Sequence, residues 1–354
     1  MKHSSILLVL PIACLMACSS NDAIDEIIDE PTGKEIPILI EVSETPLTDP
    51  EAGSTSKTSA RRAPISTKGT LSAFYMNGYW SQQGKLDPSY VTRTDNNSQW
   101  EANNSWPSGI SDDTDIHFYA FANVDYPSDP EMSPFYYKME GSSGYNPFLY
   151  FMVDENAEEQ KDLLVAKQTA KPQDKKVHFY FTHPCAALQF AICKTKALTN
   201  FDIQVEKIVL HNIYSCGYYY FDSGEWVLDT DSLSDFSLLA YNNNSISNLS
   251  VKTEVSSTDR TNSTFLGKNE NDYLFFIPQD VSAWNEGKVS DTYDAYIEIK
   301  CSIKKNGKDF SDNGSVYLPF AATLEKGYIH RFNIRMGTSL RDSQGNVIDF
   351  TKQQ

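Results

Sequence analysis

The stretch DIHFYAFANV, residues 115–124, carries the reading of the fold. Ile116, Phe118, Ala120 and Ala122 fall on one face, and His117, Tyr119, Phe121 and Asn123 on the other. That period of two marks a strand rather than a helix. Working outward, residues 71–80 (LSAFYMNGYW), 148–153 (FLYFMV) and 163–166 (LLVA) read as further strands, with a polar connection around Asp95, Asn96 and Asn97. Beyond a charged, proline-containing segment at 167–176, strands are expected at 177–181, 187–193, 203–210, 217–221, 225–228, 273–277, 295–303, 315–320 and 328–336. Asp222, Ser223 and Gly224 form a turn signal between two of them and predict a hairpin. Residues 229–235 and the Asn/Ser-rich stretch 241–250 read as loops. The 20 Tyr and 19 Phe suit half-buried pleated surfaces. An all-β chain of antiparallel β-sandwiches follows. At 354 residues the chain exceeds one ordinary sandwich, so two domains are expected in tandem, 63–170 and 171–354, the second with a short tail.

The front of the chain has a different character. Residues 1–18 read as a bacterial export signal, with Lys2 and His3 followed by an apolar run at 6–15 that is too short to span a bilayer. Leu15, Met16 and Ala17 ahead of Cys18 resemble the lipobox of bacterial lipoproteins, which makes Cys18 the expected lipid-bearing residue. Cys14, with Pro11 in the upstream place, fits worse. Residues 19–62 have the acidic, Ser/Thr/Pro-rich composition of a tether or propeptide. One apolar run interrupts it, IPILIEV at 36–42, where Ile38, Ile40 and Val42 share a face opposite Leu39 and Glu41. A strand alone in a tether has nothing to pair with, so Ile36, Ile38, Ile40 and Val42 are expected to dock on the domain that follows. The dibasic pair Arg61 and Arg62, just ahead of Ala63 and Pro64, marks a point of proteolytic processing.

The net charge of −17 argues against nucleic acid or an anionic membrane surface as partner. A mean hydropathy of −0.43 excludes a polytopic membrane protein. With Cys14 and Cys18 assigned to the front, Cys185, Cys193, Cys216 and Cys301 remain, and both disulfide pairing and buried free thiols stay open. His178, His183 and Cys185 invite a zinc reading, yet positions 178 and 183 face opposite sides of a strand. His183 before Pro184 is better read as packing or capping locally, and His211 and His330 as structural histidines in apolar surroundings. The carboxylates at 229–235 lack the ligand pattern of a calcium loop. Trp80, Trp100 and Trp106 offer stacking surfaces for sugars, against which core packing is the simpler reading. With no phosphate loop, nucleophile elbow or HExxH helix, no enzyme, cofactor or metal centre is expected.

In this order along the chain, the motifs resemble those of the fimbrillin superfamily of Bacteroidetes, the subunits of type V pili. They are the lipobox at Cys18, Arg62-Ala63-Pro64, Asp162-Leu163-Leu164-Val165-Ala166, Phe179-Tyr180-Phe181-Thr182-His183, Phe276-Ile277-Pro278-Gln279, and Lys326-Gly327-Tyr328-Ile329-His330-Arg331-Phe332. The chain departs from that pattern at Leu324 and Glu325, where a tryptophan is common, and at Phe332, where tyrosine is.

The resemblance implies two transthyretin-like sandwiches and a lipoprotein precursor at the cell outer membrane. An Arg-specific or trypsin-like protease would cut after Arg62, or after Arg61, and release the strand containing Ile38, Ile40 and Val42. A strand of another subunit would then fill the groove, building a fimbrium that supports adhesion and biofilm formation through an unidentified receptor. The polar tail after Gly337 makes a poor donor strand, which favours a tip subunit over a stalk subunit. A surface glycan-binding lipoprotein is the alternative from a different class.

Overall fold

The computed structural model describes residues 36–50, 71–81, 84–93, 99–124, 147–238, 249–256, 262–266, 273–337 and 340–349. Seven strands lead the order: β1 (Leu39–Glu44), β2 (Ala73–Tyr79), β3 (Ser89–Thr92), β4 (Ile116–Ala122), β5 (Phe148–Met152), β6 (Leu164–Ala170) and β7 (Lys176–Phe181). Sheet β3-β2-β4-β6 is antiparallel throughout, while β1 pairs with β7. Between them lies a first hydrophobic core. Phe74 and Met76 of β2, Ile116, Phe118 and Ala120 of β4, and Val177, Phe179 and Phe181 of β7 fill it. Phe74 meets Trp100, Phe179 and Phe181 edge-on with ring centroids 5.1–5.4 Å apart, an arrangement that adds quadrupole attraction to area burial.

The remaining strands are β8 (Ala186–Lys194), β9 (Phe201–Tyr214), β10 (Cys216–Tyr220), β11 (Glu225–Leu228), β12 (Leu233–Ser237), β13 (Leu249–Ser250), β14 (Thr264–Phe265), β15 (Leu274–Phe276), β16 (Gln279–Val281), β17 (Tyr296–Lys305), β18 (Lys308–Pro319), β19 (Ala322–Leu324) and β20 (Ile329–Met336). Sheet β12-β9-β17-β18 contributes Ile203, Ile208, Ile299 and Ile303 to a second core. The sheet around β8, whose nine residues are all buried, contributes Leu188, Phe190, Ile192 and Phe275. β10 and β11 form the expected hairpin, with Gly224 at φ +69°, a conformation that favours glycine.

The two cores share a sheet. Tyr119 and Phe121 on the second face of β4, Tyr79 of β2 and Val165 of β6 belong to the second core. β5 crosses over as well, pairing with β10 and burying Leu149 and Phe151 in the second core. The segment 167–176, expected as a domain boundary, is the continuation of β6 followed by a short 3-10 turn at Pro172–Asp174. β7 packs into the first core, while the second core draws on Tyr79, Tyr119, Phe121 and Leu149 as well as on Cys185 and the residues beyond it.

Among the described strands the pairings are antiparallel except for β1 on β7 and β20 on β8, which are parallel. Partners in these two pairs, such as Leu39 with Lys176 and Ile329 with Ala187, lie far apart in the chain, where no hairpin turn dictates an antiparallel register. Residues 229–235, expected as a loop, run into β12, which covers the edge of β9.

Candidate functional site

The run at 36–42 is seated on the first core, but the strand it pairs with is β7, which the sequence reading assigns to the second domain, 171–354. Pro37 and Pro46 bracket it, and neither can donate to a ladder, so the paired stretch is confined to Leu39–Glu44. Its register on β7 runs from Leu39 opposite Lys176 to Glu44 opposite Phe181. At the ends, Ile38 N–H donates to the Asn104 carbonyl (3.2 Å), and Thr45 N–H to the Phe181 carbonyl (2.8 Å). Ile38 and Ile40, each 4% exposed, enter the first core, and Val42 packs against its edge. Burying each isoleucine stabilises the docked state by about 1.5–3 kcal/mol. Ile36, grouped with them by periodicity, precedes the pairing and is 58% exposed.

The outward side of β1 is polar and paired. Glu41 binds Lys176 at 2.9 Å and lies 3.4 Å from His178 Nδ1, while the Ser43 hydroxyl meets His178 Nε2 at 2.8 Å. The hydrogen bond from Lys176 holds the Glu41 carboxyl below its usual value. Glu44, at the end of the strand, is different. It is half-buried, its Oε2 has no hydrogen-bond partner, and burial pushes its carboxyl up despite the nearby charges of His183 and Arg93. Beneath it His183 Nδ1 meets Asp162 Oδ1 at 2.9 Å, with both side chains almost fully buried.

Past Pro46 the leading segment crosses to the second core, which the sequence reading missed. Leu47 is 3% exposed within that core. Thr48 N–H donates to the Gly327 carbonyl (2.7 Å), and Ile329 N–H donates to the Thr48 carbonyl (2.8 Å). Asp49 receives both terminal nitrogens of Arg331 on β20, at 2.5 and 2.8 Å, with each side chain 16% exposed. The available signal was Leu47 itself, an isolated large apolar residue within TPLTDP.

Cys18, Arg61, Arg62 and Ala63 lie outside the described residues. His178 and His183 do not converge: one stacks on Tyr180 at the surface and the other is buried on Asp162. Among the described residues no group of three His, Cys, Asp or Glu side chains is arranged to hold a metal ion. His211, expected in apolar surroundings, lies between Asp235 (2.9 Å) and Glu298 (3.1 Å) and stacks on Tyr296. His330 accepts the Glu325 N–H at 3.0 Å. Trp100 and Trp106 are buried and Trp80 packs against the first core. The four cysteines of the body are buried and free. No described helix is long and apolar enough to cross a membrane.

A family profile described as fimbrillin-like matches residues 76–350. Among solved structures, a fimbrial protein from Bacteroides vulgatus is similar at 20% identity and TM-score 0.50, covering 85% of this chain and 94% of its own. A candidate cell adhesion protein from Parabacteroides distasonis aligns at 10% identity and TM-score 0.49, over 90% and 92% of the two chains. Another from Bacteroides ovatus aligns at 13% and 0.45, over 89% and 100%. No curated protein matches the chain.

Proposed function

The chain belongs to the fimbrillin-like family, and from that premise we propose that it enters its fimbrium by protease-triggered strand exchange, at the tip. As a family member it is a structural protein of the cell surface, not an enzyme, and it assembles with other fimbrial subunits. In the proposed sequence a lipid on Cys18 holds the precursor at the outer membrane. An Arg-specific protease then cuts the tether after Arg61 or Arg62, making Ala63 or its neighbour the new N-terminus. Residues 37–49 leave, and an extended strand of another subunit takes their seat. The assembled fimbrium supports adhesion and biofilm formation.

The observation that carries this reading is how the leading segment is seated. It fills an apolar groove with Ile38 and Ile40, pairs its backbone with β7, and precedes the dibasic site in the chain. While the tether is intact its effective concentration is roughly millimolar or higher. After a cut, docking becomes bimolecular and a competing strand can win by β-augmentation.

The placement at the tip is supported by the tail. Leu340 is buried in the second core, Arg341 bridges both Tyr317 and Val347, and Ile348 N–H donates to the Leu340 carbonyl at 2.8 Å. A tail engaged with its own core is not extended toward a neighbour.

Limited trypsin treatment tests the reading. The expected result is a new N-terminus at Ala63 or Arg62 and a product that takes up a strand peptide, whereas polymerisation of the cut chain alone would overturn the placement at the tip. A chain that resists cutting there, stays monomeric and binds a polysaccharide overturns it.

A further inference from the structure

We propose that the seat of residues 37–49 selects its incoming strand by an acidic side chain, and that Arg331 is the residue that reads it. This rests on the strand-exchange reading above and specifies the partner's chemistry. The occupant is an extended segment of another fimbrial subunit, lying parallel to β7. It carries two aliphatic residues at the places of Ile38 and Ile40, a third at the place of Leu47, and a carboxylate at the place of Asp49.

The present occupant supplies the pattern. Residues 36–50 contain three carboxylates, Glu41, Glu44 and Asp49, and neither Lys nor Arg. The body has a net negative balance, yet it meets this segment with cationic or ionisable groups at two places, Lys176 and His178 at Glu41 and Arg331 at Asp49; near Glu44 the charges are mixed, with Arg93 and His183 on one side of the balance and Asp162 on the other. The three carboxylates differ in worth. The Glu41 pair is about half exposed, so water screens it. Glu44 is half-buried with an oxygen that has no partner, which opposes docking. The Asp49 pair is two-pronged and mostly removed from solvent, the geometry in which a guanidinium discriminates best among side chains.

Arg331 is also held in place without Asp49. Its Nε donates to Gln189 Oε1 at 3.2 Å, and β20 is paired with β8 along its whole length. The fork therefore stays preorganised when the segment leaves. Leu47 and the Thr48 backbone bonds to Gly327 and Ile329 set the chain entering that fork, so the carboxylate falls two positions beyond the third aliphatic residue. A strand that matches only the β7 groove fills the first core and leaves Arg331 without its carboxylate.

The test uses the full chain cut in its tether by limited trypsin, and labelled synthetic peptides of residues 36–50, read by fluorescence anisotropy with excess peptide. The wild-type peptide is expected to bind the cut chain. Asp49→Asn in the peptide is expected to weaken binding by about tenfold. On an Arg331→Gln chain the two peptides are expected to bind alike. A peptide with Ile40→Asp should bind neither chain. If the wild-type peptide binds but the Asp49→Asn peptide binds the wild-type chain equally well, the inference is wrong while strand exchange stands. If the Asp49→Asn loss persists on the Arg331→Gln chain, Arg331 is not the reader. If the wild-type peptide binds no cut chain, strand exchange itself fails and the inference with it.

Discussion

Glu44 is the one charged group that works against the docked strand. Its folded pKa is raised above the usual 4.5, mainly by burial, so the docked state prefers the neutral carboxyl. Docking is therefore strongest below the unfolded pKa and weakens as pH rises through the raised value. Glu41 has the opposite sign: its pKa is lowered by Lys176, so its contribution is present above 4.5 and is lost as pH falls through the lowered value. A Glu44→Gln chain should retain its leading segment better than wild type at neutral pH. It should keep only the acid-side loss due to Glu41. Amide exchange of β7 measured across pH checks both, and a Glu44→Gln chain with unchanged protection at neutral pH would remove Glu44 as a brake. None of this was legible in the sequence, because the burial of Glu44 depends on where Asp162, His183 and Arg93 fold around it.

The elements were largely legible and their partners were not. DIHFYAFANV alternates cleanly, and β4 lies at Ile116–Ala122 within it, yet both of its faces are buried. Alternation identifies a strand without saying what covers its second face. The crossing of β5 to β10 and the parallel register of β20 on β8 are long-range pairings, set by core packing and by no local signal. β1 was legible because an apolar run stands out in a polar tether, while its extension through Asp49 depends on one leucine and two backbone bonds. Ile40 is the point on which its docking turns. Ile40→Asp places a carboxylate in the first core and should cost about 2–5 kcal/mol of docking, comparable to emptying the site. Hydrogen exchange at Val177–Phe181 should rise, with protection of β8 and β9 unchanged. Equal protection of β7 in this variant would mean that the isoleucines do not hold the strand.

For the whole molecule, stability rests on two cores sharing one sheet, with no covalent cross-link among the described cysteines. Cys185, Cys193, Cys216 and Cys301 are buried and free. Burial raises the Cys185 thiol well above its usual value and pushes Cys301 up to about 12. All four should resist alkylation in the native protein and react together on unfolding, as mass spectrometry of the labelled chain would register. The melting temperature should be the same with and without reductant, and a drop in reductant would reveal a disulfide. Composition alone left this open, because four thiols in an exported chain suit either state. The leading segment has one more consequence, in mechanics. Its hydrogen bonds to β7 run across the strand direction, and the pairing continues from Leu39 to Glu44 before the chain crosses to β20. Tension applied along such a strand loads these bonds side by side in shear instead of parting them one at a time. Under the proposed strand exchange, a subunit joined on the same track would resist a pull along the fimbrium through the rate at which the whole seat gives way.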